Sequence, residues 1–250
     1  MAESTMVAAQ TGALGHRSAG LLDHAKDGAK WALTCAGRWT GPRTVKRLDF
    51  VGSYLYVGGW MFREGYWPRR RCRDRFALFE SLFKRLGDGP VLYLEFGVYE
   101  GDSLRFWSRN LTHPDSRLFG FDSFEGLPES WHEDSPRGRF DRGGAVPRID
   151  DSRVQFVKGW FDYSLSVFEM PEHERLVVSL DADLYSSTKC VLDWLTPQLR
   201  PGDILYFDEF FDRHHELRAL DEFLASSRIT LKLVGATRSL TEVAFEVAGV

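Results

Sequence analysis

Cysteine is scarce in this chain: of 250 residues only Cys35, Cys72 and Cys190, far apart and without a CxxC pair. That excludes a thiolate zinc site, argues against a disulfide framework and suits a reducing compartment. Long apolar runs are missing too. No stretch approaches the ~20 residues a membrane span requires. The N-terminal MAESTMVAAQTGALGHRSAG lacks the basic segment and continuous apolar run of a signal peptide. Nor does one sign of charge dominate, and a net charge of −4 gives no reason to expect nucleic acid or an anionic membrane as the main partner. The expectation is a soluble, cytoplasmic protein without membrane insertion. A local exception is the basic run Arg69, Arg70, Arg71, Arg73 and Arg75, read either as a solvated loop or as a contact to an anionic group.

What is present is ordinary for a folded domain: 43% hydrophobic and 27% charged residues. The length suits one α/β domain with a modest appendage. Residues 1–20 are small and polar and are expected to be loosely attached. Residues 21–47 read as one or two weakly amphipathic helices. The segment 50–67 holds seven aromatics in eighteen residues, interrupted by Gly52, Gly58, Gly59 and Gly65. It reads as too broken for one long helix, and its rings either join the core or line a cleft.

From residue 74 the rhythm is cleaner. Phe76, Phe79, Leu82, Phe83 and Leu86 recur at helical spacing up to Gly87. Strands are expected at 91–96, 118–122, 154–159, 175–181, 203–208, 229–234 and 242–247, most of them separated by helical sequence. Near-continuous apolar strands alternating with helices mean a mostly parallel sheet covered on both faces. Ligands then sit at the carboxyl ends of the strands.

The first strand ends in Glu95-Phe-Gly97-Val-Tyr-Glu-Gly101-Asp102-Ser103. Gly97 and Gly101 permit a sharp turn and close approach of a ligand, and Asp102 or Ser103 can cap the next helix. A carboxylate at Glu95 repels a pyrophosphate but suits the ammonium of a methionine moiety. The dinucleotide fingerprint GxGxxG is absent. Asp122, followed by Ser123, ends the second strand, where an acidic side chain can take ribose hydroxyls. Gly159-Trp160 after the third strand offers a close approach and a ring for an adenine face.

The fourth strand ends in Asp181-Ala-Asp183 and the fifth in Asp208-Glu209. Neighbouring parallel strands bring these carboxylates together, and such a group in a water-poor cleft calls for a cation. An all-oxygen set selects Mg²⁺, Ca²⁺ or Mn²⁺ over zinc.

The ordered segments LEFGVYEGDS, FGFDSFEGLPE, VKGWF, SLDADLYSST and LRPGDILYFDEF resemble the macrocin O-methyltransferase family. The resemblance implies a class I methyltransferase: an α/β, Rossmann-like fold with a seven-stranded, mostly parallel sheet, here from residue 74 to 250. Residues 1–73 lie outside the resemblance; from the rings of 50–67 they are expected to form an N-terminal helical and aromatic cap over the acceptor. The resemblance also implies S-adenosylmethionine and Mg²⁺ as cofactors, with Asp181, Asp208 and Glu209 as metal ligands and Asp181 also beside the cofactor. The family usually has Asp where Glu209 stands. The similar catechol O-methyltransferases carry a lysine soon after the metal strand, and Asp183-Leu-Tyr185 has none, so His215, His214 and His132 are the candidates for general base. The implied acceptor is a hydroxyl of a sugar, on an oligosaccharide, a polysaccharide precursor or a glycosylated natural product, with mannose or rhamnose as plausible units. A homodimer is expected. The rival readings are a phenol O-methyltransferase and a nicotinamide-dependent oxidoreductase.

Overall fold

A computed structural model describes residues 25–250; the small, polar residues 1–20 and the first positions of the 21–47 reading lie outside the described residues. The chain divides into two units, Met1–Gly52 and Ser53–Val250. Residues 25–37 are helical (α1), and a second helix, α2, opens on Pro42, whose missing N–H is no loss at a first helical position. α2 runs unbroken over Pro42–Arg63. This corrects the expectation that its glycines would interrupt it. Gly58 and Gly59 face open space or a flexible arginine, while Val57, Trp60 and Met61 on the opposite face are buried. Each glycine costs about 1 kcal/mol in a helix interior, and burial of three large side chains outweighs that.

The rings of this segment divide accordingly. Trp60 is buried, packs against Tyr66 and Phe210, and donates from Nε1 to Asp221 at 2.7 Å. Trp67 is exposed. Trp60→Ala is therefore expected to lower stability by about 3–5 kcal/mol in urea unfolding. A loss below about 1 kcal/mol would remove Trp60 from the core.

The remaining helices are α3 (Arg75–Leu86), α4 (Asp102–Asn110), α5 (Phe161–Val167), α6 (Tyr185–Leu195) and α7 (Glu216–Ser226). The strands are β1 (Leu92–Phe96), β2 (Arg117–Asp122), β3 (Val154–Lys158), β4 (Leu176–Leu180), β5 (Ile204–Phe207), β6 (Thr230–Ala236) and β7 (Val243–Gly249). All seven coincide with the expected apolar runs. They form one sheet in the order β3-β2-β1-β4-β5-β7-β6; β1 to β5 are parallel, and β7 runs antiparallel to both neighbours.

Alternation along the strands builds a core on each face. Leu94, Phe96, Val178, Leu180, Leu205 and Phe207 join one cluster, and Tyr93, Val177 and Tyr206 join the other, with α3 and α4. Strand order reverses between β1 and β4, and a crevice opens at their carboxyl ends. Gly97 makes that crevice narrow enough to matter. Its φ is +90°, and a Cβ there would collide with the carbonyl oxygen of Asp181. No other residue lets the ends of β1 and β4 approach so closely.

Candidate active site

A cavity of about 670 Å³ lies over the carboxyl ends of the parallel strands. One part of its wall is Gly97, Asp122, Ser123, Gly159 and Trp160; another is Asp181, Asp183, Asp208 and Glu209. Leu127, Pro128, Trp131, Arg137 and Phe140 line it from the loop after β2. None of residues 50–67 is on this wall, whose rings are Tyr99, Trp131, Phe140, Trp160 and Phe161. Ser186 Oγ donates to Glu129 at 2.5 Å, which ties the loop to the start of α6 beside Asp183.

The expected cofactor residues are placed unequally. Asp122 accepts three backbone N–H groups, from Val98 and Tyr99 at 2.9 Å and from Phe124 at 2.7 Å. It thereby orders the glycine-rich turn and retains spare acceptor capacity on the cavity wall. Gly101 and Ser103 are not on the wall, and neither is Glu95. Glu95 is buried within β1, where the Tyr93 hydroxyl donates to it at 2.6 Å. Burial pushes its carboxyl up to about 8, against the pull of that hydrogen bond.

The carboxylates after β4 and β5 are brought together by the continuing ladder: Asp181 N–H donates to Phe96 O, and Asp208 N–H to Leu180 O, both at 2.9 Å. The side chains of Asp181 and Asp208 lie within hydrogen-bonding reach of each other. Tyr206 OH donates to Asp208 Oδ1 at 2.7 Å. Arg75, at the start of α3, approaches Asp208 at 3.3 Å, and Asp181 and Glu242 at 3.9 Å each. One arginine of the basic run is thus an internal counter-charge, which its position in a solvated-looking run concealed.

A single guanidinium does not balance this group. Burial and the neighbouring Asp208 push Asp183 up to about 7 and Glu209 up to about 8. Burial, then the charge of Asp208, raises Asp181 well above the carboxylate range. Asp183 also stands at φ +58°, a left-handed conformation uncommon outside glycine and typical of functional turns. Glu216 is fully buried; its Oε2 accepts from Glu209 N–H at 3.0 Å, and its Oε1 has no partner. An all-oxygen donor set with surplus negative charge and an orphaned buried oxygen fits a hard divalent cation.

The three histidines are elsewhere. None lines the cavity. His215 Nδ1 accepts the Tyr185 N–H at 3.1 Å, so in the neutral ring the proton is on Nε2 and no nitrogen is free to take another. Burial lowers its basicity further. His132 Nε2 lies 3.1 Å from Asp212 Oδ2, which also accepts from Trp131 Nε1 at 3.2 Å. His214 Nε2 accepts from Arg213. Asp212, buried and unremarked in the sequence, joins the loop after β2 to the loop after β5. Ligating atoms of His132, Asp212 and His215 lie within 4.8 Å of one another. Asp212 Oδ2 thus holds both Trp131 and His132, which fixes the Trp131 ring at the cavity wall.

These carboxyls give a testable pH dependence. Their native pKa values are raised, so between about pH 4.5 and 8 the folded, metal-free protein holds protons that the unfolded chain has released. Stability is then fully present at the acid end and falls as pH rises, by up to about 1.4 kcal/mol per pH unit for each group that titrates. Melting temperature without metal is expected to drop between about pH 5.5 and 8.5, with Mg²⁺ restoring most at the alkaline end. A metal-free melting temperature that rises over this range would contradict the electrostatics described.

A parallel sheet reversing at β1/β4, extended by an antiparallel β7, with the crevice at the strand ends, defines a class I methyltransferase fold. Solved structures with this fold include the O-methyltransferase NovP (TM-score 0.54, 23% identity, 68% of this chain and 76% of that one). The calicheamicin methyltransferase CalS11 is similar at TM-score 0.56 and 23% identity, over 69% and 78%. The family model described as macrocin-O-methyltransferase (TylF) matches residues 86–237, and the chain belongs to that family. A curated relative is the 8-demethyl-8-(2,3-dimethoxy-alpha-L-rhamnosyl)-tetracenomycin-C 4'-O-methyltransferase of Streptomyces olivaceus, 33% identical over 150 residues. The match spans 50% of this chain and about half, 55%, of that relative.

Proposed function

We propose that this protein is an S-adenosylmethionine-dependent, Mg²⁺-dependent O-methyltransferase acting on a hydroxyl of a sugar. The observation that carries the reading is the arrangement of the cavity. A glycine-rich turn and Asp122 form one part of its wall, and Asp181, Asp183, Asp208 and Glu209 another. Gly97, Asp122, Gly159 and Trp160 would hold the nucleoside and methionine of the cofactor. Asp181, Asp208 and Glu209 would hold the ion. When bound, the sulfonium supplies an activated methyl group and the divalent ion acidifies and orients an acceptor hydroxyl.

The chain's own residues do the rest. Asp183 stands beside the proposed ligands, on the cavity wall, and is the better-placed base than any histidine. Its carboxylate accepts the hydroxyl proton as the new O–CH₃ bond forms and the S–CH₃ bond breaks. Burial, then the charge of Asp208, raises its pKa in the metal-free protein. Trp131, Phe140 and Leu127 supply apolar surface for the C–H faces of a sugar and exclude water. The relative's rhamnosyl acceptor favours a deoxysugar on a glycosylated natural product over a phenol, as does the absence of a lysine from Asp183-Leu-Tyr185. A cytoplasmic homodimer completes the proposal. Among the described residues no helix is long and apolar enough to cross a membrane.

The test is release of S-adenosylhomocysteine with Mg²⁺ and a panel of rhamnosylated and mannosylated acceptors, with catechol as the phenolic control. Turnover of a glycosylated acceptor, lost in EDTA, is expected. Turnover of catechol alone would overturn the sugar reading, and full activity in EDTA would overturn the metal.

A further inference from the structure

Glu216 is a carboxylate of the cluster that no step above employs, and it is the most deeply buried, at 0% exposure. It is the first residue of α7, where the helix N-terminus offsets part of a negative charge. Its Oε2 accepts from Glu209 N–H at 3.0 Å, while Oε1 is buried without a partner. Its surroundings are hostile to a charge: after burial itself, Asp208, Asp183 and Glu209 all oppose its ionisation. A glutamine of the same shape would accept the same N–H and carry no charge. The bond to Glu209 by itself therefore does not call for a carboxylate at this position.

We propose that Glu216, bound to the backbone of Glu209 and otherwise unpartnered, is a further carboxylate of the divalent-ion site, whose charge strengthens ion binding from behind Glu209. The inference rests on the metal-dependent reading above. Arg75 balances the cluster near Asp208 and Asp181, on the side of α3. Glu216 adds to it from α7, so the surplus charge that an ion neutralises is set by both. A cation a few ångströms from a buried carboxylate gains far more than it would in water, because the low-dielectric interior screens the attraction poorly.

The experiment uses the full chain and Mn²⁺ alone, followed by the EPR signal of free ion, with melting curves recorded with and without Mn²⁺. Glu216→Gln is expected to raise the Mn²⁺ Kd by about tenfold or more. The Mn²⁺-induced gain in melting temperature of the same variant is expected to shrink. Glu216→Gln that binds Mn²⁺ like wild type, with Glu216→Ala weakened, would assign Glu216 to the Glu209 hydrogen bond only and overturn the proposal. Should Glu216→Gln not fold, Glu216→Asp carries the test. It keeps the charge, so a Kd within about threefold of wild type is expected, and a loss as deep as that of Glu216→Ala overturns the proposal. Wild-type protein that binds no Mn²⁺ would bring down the metal reading itself, an outcome separate from a failure confined to Glu216.

Discussion

Asp181→Ala is expected to lower methyl transfer by on the order of a thousandfold, to near background, while leaving S-adenosylhomocysteine binding within a few-fold of wild type. Asp181 follows β4 directly, and its backbone N–H is fixed on Phe96 O at 2.9 Å. Truncation therefore removes a carboxylate without disturbing the sheet. What remains, Asp208 and Glu209, retains Arg75 as neighbour but loses the carboxyl group against which Asp208 is set. Two oxygen-bearing side chains are a weak site for an ion that prefers six or more oxygens. EDTA treatment of wild type should give the same loss, and excess Mg²⁺ should rescue the EDTA sample but not the variant. Activity assays paired with calorimetric binding of S-adenosylhomocysteine check both halves. Retention of more than about a tenth of wild-type activity would mean Asp181 holds no essential ion.

Asp183→Asn is the second large effect. The amide is nearly isosteric but cannot accept the hydroxyl proton, and general-base contributions are typically about 10²–10⁴-fold in kcat. Acceptor KM and cofactor binding should change little, because the side chain's place on the wall is preserved. The left-handed backbone at Asp183 favours this substitution, since Asn tolerates that conformation as well as Asp does. His215→Gln and His132→Gln, measured alongside, should each retain far more activity than Asp183→Asn. If a histidine variant instead suffers the larger kcat loss, the proton goes elsewhere.

The central strands β1, β4 and β5 were the most readable because each is buried on both faces. That leaves an apolar run closed by a polar residue, as in LYLEF before Gly97 or LVVSL before Asp181. The same rule located Asp122, Asp181 and Asp208, since the polar residue after such a run stands at the crevice. Asp183 was in plain view two positions further on, yet its left-handed turn is something that sequence pattern does not announce. α2 was misjudged because its glycines lie on an open face, and the count of glycines says nothing of which face they occupy.

Arg75, Asp212 and Glu216 gave no usable signal. Arginine at the end of a basic run, aspartate in a polar loop and glutamate in a helix's first turn are all routine on surfaces. Each becomes exceptional only through partners far away in the chain: Arg75 with Asp208, Asp212 with Trp131, Glu216 beside Asp183 and Asp208.

By itself, then, the sequence determined the sheet, the glycine turn at β1 and which carboxylates stand at strand ends, because apolar period and turn chemistry are local properties. Only the tertiary structure decided how the charges are balanced and which carboxyl groups share the cavity wall. Charge pairing, burial and the pKa shifts they cause depend on distances between residues that the chain keeps apart and the fold brings together.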